Sequence, residues 1–405
     1  MKYPVIYIIT KLELGGAQKV CLTLFNNLNT QIPTYSPQNL IPGTSFTPWL
    51  ISGAQGTLVK SVKNNSHVLL LATLKREFKF SNFTSICTDI RAFWDMITQL
   101  RALKQKFPQL IVHTHSTKAG YLGRWAAFFA GIKIRIHTVH GWGFHSHQSW
   151  PLYLLSYFLE FCTSFITTHY VTVSQADITL GIKKIPFFLK KQTLIRAAIS
   201  PEFTQNLAHM TVQKFTQNKF IFGTVACFKP QKNIFDVLHA FKVTRDCLNL
   251  YKTPITCCLE IIGDGELRPE IETWITENNL QNVIILHGWQ DHVAPIMKNW
   301  NCFVLTSLWE GLPCAIIEAR CLKLPVITYA VGGISDVIKH DQNGFLCAPH
   351  QIKTFAHYMF SLVTNQALYQ RLSNYHDNLE DFTQEAMLEQ HRTLYKNIST
   401  TNNLL

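Results

Sequence analysis

Short apolar, β-branched runs alternate with helical stretches along nearly the whole chain, and the alternation occurs twice. In the first half, Val5–Ile9, Pro48–Ser52, Val68–Ala72, Leu110–His113, Ile134–Val139 and Val171–Val173 read as strands. Helical patterns lie at 17–28, 90–107 (ended by Pro108), 151–166 and 175–180, the last capped by Ser174. In the second half, Phe220–Val225, Cys257–Ile262, Val283–Leu286, Phe303–Thr306 and Val326–Tyr329 read as strands. Helices are expected at 233–248, 267–278, 314–322 and 334–339. Such alternation predicts an α/β chain with two parallel sheets covered by helices. The polar, weakly periodic stretch 200–219 marks the junction. The expected domains are therefore 1–200 and 201–380, with a helical tail at 381–405 and fraying over Ser399–Leu405. Residues 29–47 read as a long loop.

Composition excludes several classes. With 47% hydrophobic and 15% charged residues, the 405-residue chain is globular rather than disordered. Its most apolar helix, Leu152 to Ile166, is 15 residues long and carries Glu160, too short for a membrane span. Met1–Thr10 reads as a strand, not a signal peptide. The 11 cysteines include no Cys-x-x-Cys pair, which suits buried thiols better than a disulfide frame or a zinc site. Charge is uneven: residues 1–200 hold 21 Lys/Arg against 6 Asp/Glu, and residues 201–405 hold 16 against 19. The basic half calls for an anionic partner or surface, unless it is only a solvated face.

Parallel sheets bind ligands beyond the carboxyl ends of their strands, so the strand-to-helix turns are the places to search. Gly15–Gly16–Ala17–Gln18 opens the first helix and could present free N–H groups to a phosphate, though a tight turn alone explains two glycines. Lys229 and Lys232 precede the helix expected from Asn233, an arrangement suited to an anion and equally open to solvated loop lysines. In Ser307–Glu318, Glu310 lies in a loop and Glu318 inside the following helix, with Pro313 at its start. Carboxylates there could accept from sugar hydroxyls, with the Gly311 and Leu312 N–H groups beside them. As surface charges they would do nothing, but the apolar company of Leu312, Ile316 and Ile317 argues for burial and hence for partners. Val331–Gly332–Gly333–Ile334 forms a further glycine turn with a possible phosphate role. The 17 histidines include His113, His115, His137 and His140, without the helical His-x3-His spacing or the cysteine partners of a zinc site. His140, on a turn before Gly141, is the one best placed to touch a substrate, against the plainer reading of a structural histidine.

In this order the segments resemble the family 4 retaining glycosyltransferases, from Val5 to about Ala348. The motifs that carry the resemblance are Glu310-x7-Glu318, Gly332–Gly333, Asn343-Gly-Phe-Leu, Gly263-Asp-Gly-Glu-Leu267 and Lys229-Pro-Gln-Lys232. His113-Thr-His-Ser-Thr-Lys-Ala-Gly120 and His137-Thr-Val-His-Gly141 are similar to the subgroup that builds bacterial surface polysaccharides. The resemblance implies a GT-B fold, two Rossmann-like domains facing across a cleft. It implies sugar transfer with retained configuration from a nucleotide sugar, UDP-linked foremost, to a lipid-linked or saccharide acceptor, with no metal and no other cofactor. By the same resemblance Glu318 would bind the ribose and Glu310, with the Gly311 and Leu312 amides, the donor sugar. Lys232 and Gly15–Gly16 would contact the diphosphate, and His140 would sit near the reacting centre. Front-face displacement is the mechanism implied, with lysine and helix N-termini stabilising the leaving diphosphate.

Two positions depart from the family pattern. Cys227 stands where relatives carry an Arg five residues before Lys232, so Lys229 is the available substitute, and Gln18 replaces a common Glu. Two alternatives follow: a GT-B epimerase or hydrolase working without an acceptor, and a non-catalytic nucleotide-sugar-binding partner.

In this fold the N-terminal half takes the acceptor, so its positive charge suits a lipid-linked diphosphate at an anionic membrane. The expected location is cytoplasmic, peripheral at the inner face of the plasma membrane. Lys60, Lys63, Lys75, Arg76 and Lys79 with Phe78 and Phe80, and the lysines of 183–191 with Phe187, Phe188 and Leu189, would form the interface. No nucleic-acid-binding motif is present, so nucleic acid is not an expected partner.

Overall fold

The computed structural model describes residues 2–29, 45–75, 83–204 and 218–402. It divides into two compact units, Met1–Ala198 with Gln384–Leu405, and Ile199–Thr383. The expected loop at 29–47 and junction at 200–219 lie mostly outside the described residues, as do Arg76, Phe78, Lys79, Phe80 and Asn403–Leu405.

Among the described residues the first sheet has seven strands and the second six; the first is formed by β1 (Lys2–Ile9), β2 (Ser45–Gly53), β3 (Val68–Leu71), β4 (Ile111–His115), β5 (Ile134–Val139), β6 (His169–Thr172) and β7 (Gln192–Leu194). The second is formed by β8 (Lys219–Val225), β9 (Thr256–Ile262), β10 (Ile284–Gly288), β11 (Cys302–Leu305), β12 (Val326–Tyr329) and β13 (Gly344–Cys347). Strand orders are β3-β2-β1-β4-β5-β6-β7 and β10-β9-β8-β11-β12-β13. Every strand pairing is parallel. This order, built outward from a central first strand, is that of the dinucleotide-binding fold, and each unit carries it once.

The central strands are buried on both faces and so read as unbroken apolar runs. Val5, Ile6, Ile8 and Val112 are fully buried in the first sheet, and Phe220, Phe222, Phe303 and Val304 in the second. The order reverses between β1 and β4, where Val5 lies opposite Ile111, and between β8 and β11, where Phe303 lies opposite Gly223. At such a reversal adjacent loops splay apart and leave a crevice.

The C-terminal helix Gln384–Asn402 packs in the first unit, which differs from its reading as a separate tail. Its Tyr395 hydroxyl lies 3.2 Å from the Tyr7 hydroxyl and 2.6 Å from His113 Nδ1. Arg392 donates from Nε to the Leu28 carbonyl at 3.0 Å, satisfying an end of the helix Gly16–Asn27. Two strands not anticipated, β7 and β13, are short edge strands.

Candidate functional site

The crevice of the second unit is assembled from four loops. The loop after β8 runs through Lys229 and a 3₁₀ turn, Pro230–Lys232, to Asn233, whose φ of 47° turns the chain into the helix Ile234–Leu250. Asp236 fixes that turn, accepting from Asn233 Nδ2 and from the Tyr329 hydroxyl, both at 2.6 Å. The loop after β11 lies alongside. Leu308 N–H donates to the Gln231 carbonyl at 2.9 Å, and Gln231 Nε2 returns a bond to the Trp309 carbonyl at 2.8 Å. This lacing brings Lys232 Nζ onto Glu310 Oε1 in an ion pair. Burial alone would push the Lys232 ammonium down; the Glu310 carboxylate reverses this and holds it above its ordinary range. Lys229 is half-buried, and its ammonium has no partner among the described residues.

The glycine turn at 332–333 supports the Glu310 loop from the other side. Gly332 has φ 54°, and a Cβ there would overlap the Glu310 carbonyl oxygen. Gly333 N–H donates to the Gly311 carbonyl at 2.6 Å. That amide is thus used within the protein. The N–H groups of Gly311 and Leu312 have no partner among the described residues. Glu318, 5% exposed, lies in the helix Cys314–Cys321, so the inference of burial holds. The structure therefore brings together Lys232, Glu310, Gly311, Gly332 and Gly333, with Glu318 on the helix that the same loop leads into.

The Gly263 motif gains a structural role here, and two hydroxyls that sequence reasoning gave no role join the site. Gly263 has φ 133° and packs against the Ala226 carbonyl, while Phe228 N–H donates to the Asp264 carbonyl at 2.9 Å; the loop after β9 thus braces the lysine loop. Thr224 Oγ1 and Ser307 Oγ, at the ends of β8 and β11, are buried and have no hydrogen-bond partner among the described residues. A single hydroxyl carries no distinguishing pattern in sequence. Its place at the strand-order reversal is the only available signal.

The first unit has its own crevice at the β1/β4 reversal. Thr10 Oγ1 and Ser116 Oγ lie 2.7 Å apart there, and the Gly15–Gly16 turn follows β1 into the helix Gly16–Asn27. Gly15 is extended, with φ −170°, so the turn does not depend on a left-handed glycine. His140 follows β5. Its Nε2 lies 3.0 Å from His115 Nδ1, and burial, then the neighbouring His391, push its pKa down to about 3. Burial holds His113 and His115 well below the ordinary range too. These imidazoles are neutral near pH 7, so each ring has one donor and one acceptor nitrogen, and His140 is a hydrogen-bonding group rather than a cation. Among the described residues no group of three or more His, Cys, Asp or Glu side chains is arranged to hold a metal ion.

Two dinucleotide-type parallel sheets, one in each unit, are the architecture of the GT-B glycosyltransferases. Residues 207–379 match the family model described as glycosyl transferases group 1. The chain is 29% identical over 361 residues, covering 88% of this chain and 86% of the relative, to the UDP-Gal:alpha-D-GlcNAc-diphosphoundecaprenol alpha-1,3-galactosyltransferase of Escherichia coli. It is 26% identical over 327 residues, 76% of this chain and 83% of the relative, to the capsular polysaccharide biosynthesis glycosyltransferase CapM of Staphylococcus aureus. In fold it is similar to Anabaena HepE, solved in complex with UDP and glucose, with a TM-score of 0.71 at 15% identity over 97% of this chain and 99% of that one.

Proposed function

We propose that this protein is a retaining, metal-independent glycosyltransferase of surface-polysaccharide synthesis. It moves a hexosyl group from a UDP-sugar to a hydroxyl of a lipid-linked diphosphate saccharide. The observation that carries the reading is the Lys232–Glu310 pair beside the unpartnered Gly311 and Leu312 amides. A sugar diphosphate offers that site both kinds of partner: anionic oxygens for Lys232, Lys229 and the amides, and donating hydroxyls for Glu310. Glu318 is the proposed partner of the ribose. As the C1–O bond to the diphosphate breaks, negative charge grows on the leaving oxygen, where fixed ammonium and N–H groups stabilise it most. The acceptor oxygen forms its bond to C1 on the same face, and its proton passes to the departing phosphate. The first unit is the proposed acceptor-binding part, with His140 and the Gly15–Gly16 turn as its candidate contacts. The lipid-linked acceptor draws support from the Escherichia coli relative, whose name specifies a diphosphoundecaprenol substrate.

The test is product analysis with a panel of UDP-sugars, with and without a polyprenyl-diphosphate saccharide. The expected result is a glycosylated lipid with the donor's anomeric configuration, formed in the presence of a chelator. Rapid donor consumption without acceptor would show an epimerase or hydrolase instead. Donor binding without turnover would show a binding partner.

A further inference from the structure

The helix Trp150–Ser164 has one charged residue, Glu160, and that residue points inward. Its carboxylate takes two bonds from the buried Arg124 guanidinium, at 2.8 and 2.7 Å, and a third from the Tyr170 hydroxyl at 2.8 Å. The pair pins the helix to the sheet and removes its only charge from the outer face, which is left apolar. Trp150 is 72% exposed and Phe158 62%.

The apolar face continues beyond the helix. Phe165 lies 6.2 Å from the Phe187 ring, and Phe187 and Leu189 are 65% and 64% exposed at the tip of the turn Phe188–Lys191. In the other direction Trp125 Nε1 donates to Thr163 Oγ1 at 3.0 Å and carries the exposed Phe128 and Phe129 beside it. Isolated exposed apolar groups are ordinary; a contiguous aromatic face of this kind marks a docking surface.

Charge identifies the occupant. Residues 96–201 contain two acidic residues, Glu160 and Asp177, and both are buried. The Ser174 hydroxyl holds Asp177 at 2.6 Å. Lys133, Lys183, Lys184 and Lys190 are exposed over the same stretch, so its exposed formal charge is entirely positive. Lys184 stands 5.9 Å over the Tyr157 ring, close to the apolar face rather than away from it. A second copy of this face would set lysine against lysine. An anionic bilayer takes aromatic rings at its acyl boundary and ammonium groups at its head groups together. Among the described residues no helix is long and apolar enough to cross a membrane, so contact through these helices is by lying on the surface.

We infer that the outer face of Trp150–Ser164, extended by Phe187 and Leu189 and edged by Lys183, Lys184 and Lys190, docks on an anionic lipid bilayer. This deepens the lipid-linked acceptor reading by giving it a named surface, and it rests on that reading only for its purpose. It also moves the expected interface: of the two basic stretches read from sequence, 183–191 joins a large apolar face that only the fold assembles.

The test is co-sedimentation of the full chain with phosphatidylcholine vesicles containing about a quarter phosphatidylglycerol, against phosphatidylcholine alone. The wild type is expected to bind the anionic vesicles and to be weakened by high salt. The triple variant Phe158→Ser, Phe187→Asn, Leu189→Ser is expected to lower partitioning at least tenfold. Asn suits the left-handed φ of 56° at position 187. Lys183→Glu with Lys190→Glu is expected to erase the preference for anionic lipid. UDP-induced thermal shifts measured on the same samples report the fold and the donor site separately; vesicle binding without a UDP shift would leave this surface standing and remove the donor reading. Wild type that ignores anionic vesicles, or variants that bind them like wild type, would overturn the inference. So would lipid-free dimers that the triple variant dissociates while vesicle partitioning stays unchanged.

Discussion

Lys232 and Glu310, 78 residues apart in sequence, form an ion pair between the loops that follow β8 and β11. Those strands are neighbours only because the strand order reverses between them, so the pair is a direct product of topology. The pair leaves the Lys232 ammonium partly neutralised.

Lys232→Ala should leave the Glu310 carboxylate without its partner in a mostly buried loop. We expect a loss of about 1–3 kcal/mol in denaturant unfolding, because an uncompensated buried charge costs more than the pair contributed. Turnover should fall at least tenfold. Glu310→Gln should retain much of the stability while weakening selection among donor sugars. Wild-type kinetics in both variants would refute the site assignment.

Gly332→Ala and Gly15→Ala separate two kinds of glycine. At Gly332 a Cβ would meet the Glu310 carbonyl and face a φ of 54°, so we expect a loss of about 2–4 kcal/mol together with loss of activity. At Gly15 the backbone is extended, and only the Gln18 side-chain end is close, at 2.6 Å. Gly15→Ala should therefore fold normally. Urea unfolding of both variants checks the contrast.

Stability should fall steeply below neutral pH. Burial pushes His140 to about 3, and His169 and His391 to about 4. Each folded pKa lies below the unfolded value of about 6.5, so the unfolded chain binds more protons between those limits. The contribution is whole above about pH 6.5 and is lost as pH falls toward 4, at about 1.4 kcal/mol per histidine per pH unit. His391→Gln should make the slope of unfolding free energy against pH shallower. An unchanged slope would count against the buried, neutral state of this histidine.

Arg124 and Glu160 are both buried, and Glu160→Leu would leave Arg124 a charge without a counterion. We expect about 3–5 kcal/mol of destabilisation, read by chemical denaturation. Arg124→Met with Glu160→Leu should recover much of it, because two apolar groups remove the unpaired charge.

The sheets were legible because parallel strands buried on both faces leave short apolar runs, as in Phe303–Thr306 and Val326–Tyr329. The edge strand β7 is three residues long and half-buried throughout, and β13, though mostly buried, is four residues long and opens on Gly344, so neither leaves such a run. Lys232, Glu310 and Glu318 could be named from residue type and place after a strand. Their pairing could not, since it depends on which strands lie side by side. A glycine turn looks the same in sequence whether its amide faces a ligand or, as at Gly333, the Gly311 carbonyl. The C-terminal helix was expected as a tail; its tie to the first unit runs through Tyr395 and Arg392, neither of which any local pattern marks.

The central claim is that the second unit grips a nucleoside diphosphate through Lys232 and its neighbours. Thermal unfolding of wild type, Lys232→Ala and Glu318→Ala with and without UDP tests it most directly. The account predicts a UDP-dependent rise in melting temperature for wild type that shrinks in both variants. No rise with UDP or any other nucleoside diphosphate, or an undiminished rise in both variants, would contradict it.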